Sequence, residues 1–364
     1  MTPRLLTIMG SGETAPTMVK VHRAVMARLR AEEGAVEPRG LLLDTPFGFQ
    51  TNAGEIAARA VEYFRDSVGA ELEIAGLRGV DDLAGPGGDV VVAKIAAAPL
   101  IFAGPGSPTY ALRQWHDTLV PKLLAEKLTF GGAVTFASAA ALTLGALSVP
   151  VYEIYKVGES ARWVDGLDLL AALGIPAVVI PHYDNAEGGT HDTRFCYLGE
   201  QRLAAMEEEL PDGTFVLGVD EHTALSLDLG AGSAEVVGHG AVTVRARGRS
   251  QVIEPGSAVA IDELVATAGA LAAGDAGPAR APTTPTVASQ EVRTPTPPRL
   301  PPGRRPSCAP STRRRTPSVS RARPATPGGW WERSSHWSPR CGRGGRTRCS
   351  PTTWTEAAPR CGPW

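Results

Sequence analysis

Up to about residue 273 the chain alternates short apolar runs with amphipathic stretches, and this rhythm constrains the fold more than any other feature. Segments 5–9, 40–43, 72–75, 100–103, 133–137 and 177–181 are apolar runs too short for helices and read as buried strands. Between them lie helical patterns. Segment 52–66 places Ile56, Ala57, Ala60, Val61 and Phe64 on one face behind an Asn suited to cap the first turn. Segments 90–98, 110–127, 167–173 and 198–209 read similarly. Strands alternating with helices define an α/β fold with a mainly parallel sheet. After 214–219 the period becomes two, with Gly-containing turns between 224–229, 235–237, 241–247, 251–253 and 258–261. This predicts an antiparallel β meander that closes the domain, followed by an Ala-rich helix over 263–273.

Composition separates this body from the C-terminal segment. Residues 281–364 hold 15 Arg, no Lys and 3 Glu, leaving 21 basic and 35 acidic side chains for residues 1–280, so the whole-chain net charge of −2 describes neither part. An acidic body of net charge −14 argues against nucleic acid as its partner, since phosphate binding needs a concentrated positive field. Segment 274–364 has no apolar periodicity and is rich in Pro and Arg, so it is expected to be a disordered low-complexity tail. A frameshifted reading of a GC-rich gene also accounts for Arg without Lys and for the crowding of Trp, Cys and Pro there. Its four cysteines lack the paired spacing of a zinc site, and the body's lone Cys196 rules out a disulfide framework and suits a reducing, cytoplasmic setting. The N-terminal apolar stretch is too short for a secretory signal. Segment 128–152 carries no charge and is long enough to span a bilayer, but it is built from Ala, Gly, Ser and Thr and reads as a buried strand, a turn at Ser138 and an Ala-rich helix.

In an open α/β sheet, reactive groups gather where strands end at their carboxyl edge. Those ends carry Gly10-Ser11-Gly12-Glu13, Asp44-Thr45-Pro46, Gly104-Pro105-Gly106-Ser107-Pro108, Ser138-Ala139-Ala140-Ala141 and Pro181-His182-Tyr183-Asp184-Asn185. Ser138, between a buried run and a helix, sits where a nucleophile elbow would be, although a small residue filling a tight junction has the same signature. His182 suits proton transfer near neutral pH and equally suits a structural hydrogen bond. The Gly104–Pro108 stretch offers bare backbone N–H groups for an oxyanion, or is a plain turn. His191, Asp192 and Arg194 come after Gly188-Gly189 in a loop where Arg would bind a carboxylate. No standard metal signature is present, and Gly10–Glu13 lacks the spacing of a nucleotide loop, so neither metal nor cofactor is expected. Glu221-His222 has no evident partner.

The order of these features resembles the dipeptidase E and cyanophycinase family, serine peptidases with a class I glutamine amidotransferase-like fold. The likeness covers about residues 4–265. It is most specific at Pro181-His182-Tyr183-Asp184-Asn185-Ala186, then His191, then Gly199-Glu200-Gln201-Arg202-Leu203. It implies a three-layer α/β sandwich over residues 1–273, with Ser138 as nucleophile and His182 as base. The third triad member is then an acid some fifteen to eighteen positions past the serine, for which Glu153 is the first choice and Glu159 the second. Gly106 and Ala139 would form the oxyanion hole, and Gly12, Glu13, Asn185, His191, Arg194 and Arg202 would contact substrate. The resemblance implies a small peptide or isopeptide substrate with an acidic or aspartyl group. It leaves the oligomeric state open, a homo-oligomer included, and calls for neither a membrane nor nucleic acid. The elbow departs from the family's Gly-x-Ser-Ala-Gly: Phe136 and Ala140 replace the flanking glycines. That opens an alternative, a non-catalytic relative that binds an amino-acid-like molecule. An amidotransferase is disfavoured, because the nucleophile position holds Ser and Cys196 lies on another segment.

Overall fold

The computed structural model describes residues 2–33 and 38–274. The expectation of a low-complexity tail concerns residues beyond Gly274, outside those described. The chain begins with β1 (Arg4–Met9), α1 (Val19–Glu33), β2 (Gly40–Leu42), α2 (Ala53–Tyr63), β3 (Leu72–Ile74), α3 (Gly85–Ala97), β4 (Leu100–Ala103), α4 (Pro108–Trp115), α5 (Val120–Phe130) and β5 (Gly132–Ala137). Next come β6 (Leu147–Ser148), β7 (Val164–Asp165), β8 (Ala177–Ile180) and α6 (Gly199–Glu208). The last part holds β9 (Phe215–Val219), β10 (Thr223–Asp228), β11 (Ser233–Gly238), β12 (Val242–Ala246), β13 (Arg249–Ile253), β14 (Ala258–Ala260) and α7 (Ile261–Ala273).

The main sheet has eight strands in the order β14-β11-β10-β1-β5-β4-β2-β3, and β1, β5, β4, β2 and β3 run parallel. β4 and β5 are buried on both faces, which explains their unbroken apolar runs. Leu5, Leu42, Leu72 and Phe102 pack on α1 and α2, while Leu6, Leu41, Ile101 and Phe136 pack against α3, α4 and α5. Successive residues of a strand point to opposite faces, so helices cover both sides of the parallel strands.

Four expectations are corrected. The period-two strands lie close to their expected positions, yet they do not form one meander. β10, β11 and β14 extend the main sheet, whereas β9, β12 and β13 join β8 in a second sheet of order β13-β12-β9-β8. Alternation specifies which face of a strand is buried but not which strand it pairs with. The expected helix over 110–127 is two helices, because Pro121 sits in the first turn of α5 and cannot continue a preceding helix. The Ala-rich stretch after Ser138 forms only a single 3-10 turn, Ala141–Thr143. There the Ala140 N–H is shared between the carbonyls of Ala137 at 3.0 Å and Gly104 at 3.3 Å, and the Thr143 hydroxyl donates to the Ala140 carbonyl at 2.7 Å. The segment expected over 167–173 likewise reduces to a 3-10 turn, Ala171–Leu173.

A buried ion network ties α6 to the second sheet. Arg245 on β12 donates to Glu207 at 2.7 Å, both side chains being 4% exposed, and to Glu200 at 2.6 Å. Its guanidinium lies 5.5 Å from the Phe195 ring centroid, in the loop that joins β8 to α6. No helix among the described residues is long and apolar enough to cross a membrane.

Candidate active site

Ser138 comes directly after β5 and has φ +50°, a left-handed conformation that costs a non-glycine residue about 1–2 kcal/mol. Its N–H donates to the Met9 carbonyl at 3.1 Å, so the turn is pinned to the end of the neighbouring parallel strand β1. His182 stands two residues past β8, also left-handed at φ +48°. Its carbonyl accepts the N–H groups of Cys196 at 3.1 Å and Asn185 at 3.2 Å. The next side chain, Tyr183, lies flat on Gly218, where an added Cβ would come within 2.4 Å of the ring. Ser138 Oγ and His182 Nε2 are 2.9 Å apart, and the serine hydroxyl donates when that nitrogen carries the lone pair.

The acid on the other imidazole nitrogen is Glu221, whose Oε1 lies 2.8 Å from His182 Nδ1. The His182 hydrogen bond holds the Glu221 carboxyl below its usual range, against the upward push of burial. Glu221 N–H donates to Asp184 Oδ1 at 2.7 Å, which fixes the backbone that carries it. Glu221 lies in the Asp220–His222 connection, where the chain leaves β9 of the second sheet and enters β10 of the main one.

This replaces the expectation for the third residue. Glu153 instead accepts a hydrogen bond from the Thr109 hydroxyl at 3.0 Å, and Glu159 pairs with Arg162 at 2.6 Å. Distance from the serine along the chain is a poor guide to this acid. The parallel pairing of β8 with β9 sets the end of β9 beside the end of β8. The available signal was the position of Asp220-Glu221 immediately after the apolar run 214–219, the same placement that singled out His182.

The Gly104–Pro108 loop is stitched to the elbow by the bond from Ala140 N–H to the Gly104 carbonyl. Gly106 has φ +138°, and an added Cβ would lie 2.0 Å from the Pro46 carbonyl oxygen, so only glycine fits. Among the described residues the N–H groups of Gly106 and Ala139 have no acceptor. Phe136 does not enter the space between Ser138 and His182. Its ring is fully buried with its centroid 5.9 Å from that of Trp115, in the core shared with α4 and α5. The observation that favoured a non-catalytic relative is thereby accounted for by packing.

The remaining residues divide. Gly12, at φ +69°, lies against the His222 imidazole, and Glu13 is buried beside Gly104. Asn185 is buried; its Oδ1 accepts the Glu187 N–H at 3.0 Å, while its Nδ2 has no partner among the described residues. His191 is exposed and stacks on Tyr155 at 6.5 Å. Arg194 is held by both oxygens of Asp192 at 2.9 Å, and Arg202 donates to the Leu198 carbonyl at 3.2 Å. The described residues contain no group of His, Cys, Asp and Glu arranged to hold a metal ion.

Ser138, His182 and Glu221 thus form a hydrogen-bonded serine–imidazole–carboxylate chain at the carboxyl edge of an α/β sheet. No protein-family model and no curated protein matches the chain. Among solved structures it is similar to a peptidase from an acI-B1 Actinobacterium, with a TM-score of 0.57 and 20% identity over 71% of this chain and 97% of that one. It also matches a peptidase E candidate from Listeria monocytogenes EGD-e, with a TM-score of 0.39 and 14% identity over 69% of this chain and all, 100%, of that one. At this identity the first likeness establishes a shared fold.

Proposed function

We propose that the chain is a serine-type peptidase of the dipeptidase E and cyanophycinase kind, on a class I glutamine amidotransferase-like scaffold, cleaving an amide in a small peptide or isopeptide. The observation that carries this reading is the relay itself, 2.9 Å from Ser138 to His182 and 2.8 Å from His182 to Glu221, on a serine held at φ +50°.

His182 Nε2 takes the proton of Ser138 as Oγ attacks the amide carbonyl, and Glu221 fixes the tautomer and stabilises the imidazolium. The N–H groups of Gly106 and Ala139 receive the oxyanion. His182 then returns the proton to the leaving amine, and water releases the acyl group from Ser138 by the same steps in reverse. An acidic substrate side chain would meet Arg194, which stays partly open beside Asp192 and lies on the loop just past His182.

A diphenyl phosphonate that reacts only with activated serines tests the reading. Mass spectrometry should find one adduct, on Ser138, absent in Ser138→Ala. Folded protein that takes up no probe at Ser138 overturns it.

A further inference from the structure

Glu13 closes the glycine turn after β1 and is 8% exposed. Its carboxylate lies against Gly104, where an added Cβ would come within 3.2 Å of Oε1, and the Gly104 carbonyl accepts the N–H of Ala140 two residues past Ser138. The carboxylate therefore packs against the loop that carries Gly106, which the Ala140 N–H ties to the elbow.

The surrounding structure holds it there. The Glu13 carbonyl accepts Nε2–H of His22 at 2.8 Å, and His22 is 1% exposed among the rings of Tyr63, Phe64 and Phe102. Burial lowers the His22 pKa to about 4, so the ring stays neutral, and its Nδ1 is left buried without a partner. Leaving such an atom unpaired costs about 1–3 kcal/mol, which an apolar side chain at this position would avoid.

Charge at Glu13 is not compensated by the protein. No Lys or Arg pairs with it among the described residues. The groups that feel its field are His182, His222 and Tyr63; the acid on His182 is Glu221, and His222 Nδ1 is bonded to the Thr17 hydroxyl at 3.0 Å. Burial pushes the Glu13 carboxyl up, with the two histidines opposing the shift. A buried carboxylate with no cation of its own, packed on the loop tied to the Ser138 elbow, is complementary to a cation brought by the substrate.

We infer that Glu13 receives the free α-ammonium of the substrate and is the residue that confines cleavage to the amino-terminal peptide bond. One tetrahedral carbon separates an α-ammonium from the carbonyl of its own residue, so a carboxylate beside the elbow places that carbonyl, and no later one, at Ser138. The inference rests on the peptidase reading, and its binding arm is independent of catalysis.

The test uses the full-length chain. Ser138 should react at least tenfold faster with an alanine diphenyl phosphonate bearing a free amine than with its N-acetyl form. In Glu13→Gln the ratio should fall to about 1, and in Glu13→Asp, which keeps the charge, part of it should survive. In Ser138→Ala, calorimetry should find alanyl-alanine amide bound at least tenfold more tightly than its N-acetyl form, with the difference lost when Glu13→Gln is added. Equal binding of the two amides, binding of neither, or a preference that survives both Glu13 variants overturns the inference. A missing phosphonate adduct beside a clear amine preference overturns the peptidase reading alone.

Discussion

His182 and Glu221 are 39 residues apart in the chain and 2.8 Å apart in space, because each stands just past the end of one of two parallel strands, β8 and β9. The carboxylate reaches Nδ1 from the crossing between the two sheets, and its own N–H is held by Asp184.

Replacing that acid tests the relay. Glu221→Gln should lower the rate of Ser138 phosphonylation by about 10³-fold or more, as expected when the imidazole loses its orienting charge. Glu153→Gln, which disturbs the bond from Thr109, should change it by less than about threefold, the scale of one half-buried hydrogen bond.

Asp220 gives a pH-dependent contribution to stability. Burial first, then the neighbouring Asp184, Glu221 and Glu254, raise its pKa to about 6, while the Ala241 N–H opposes the shift. Between its unfolded value and about 6 the native state therefore holds a proton that the unfolded chain has released. Stability from this group is fully present below about pH 4 and is lost as pH rises toward 6 and above. Asp220→Asn keeps an oxygen for Ala241 and should flatten the profile over that window in denaturant titrations at successive pH values. An unchanged slope would remove Asp220 as its source.

Gly106→Ala should destabilise the chain by at least about 2 kcal/mol, since its φ and the nearby Pro46 carbonyl both exclude a side chain. Displacing this loop should also slow phosphonylation of the remaining folded protein by about 10²-fold, the loss expected for one oxyanion donor. A thermal melt and the labelling rate on one preparation separate the two effects.

Phe136→Gly introduces the glycine found in the dipeptidase E elbow, yet it should not raise the labelling rate. Emptying a fully buried ring site beside Trp115 should cost at least about 3 kcal/mol, read from the denaturation midpoint. A faster, equally stable variant would show that Phe136 restrains the elbow.

The parallel strands, the glycine turns and the positions of Ser138 and His182 were legible because their signals are local. A fully apolar run such as 177–180 ends at a definable point, and the residues just past that point must stand at the sheet edge. The phenylalanine at 136 looked incompatible with a sharp turn because a sequence does not reveal which way a side chain points. In the folded chain it faces α4 and α5. The Ala-rich stretch after Ser138 has helical propensity, yet its Ala140 N–H is taken by the turn and by Gly104.

By itself the sequence determined the α/β class, because hydrophobic period and run length report which backbone geometry can bury each segment. Tertiary structure alone decided which acid serves His182 and into which sheet each late strand goes. Pairing depends on which edges meet after collapse, a relation between segments far apart in the chain that no local pattern encodes. Glu153 and Glu221 are alike as side chains, and only the parallel alignment of β8 and β9 distinguishes them.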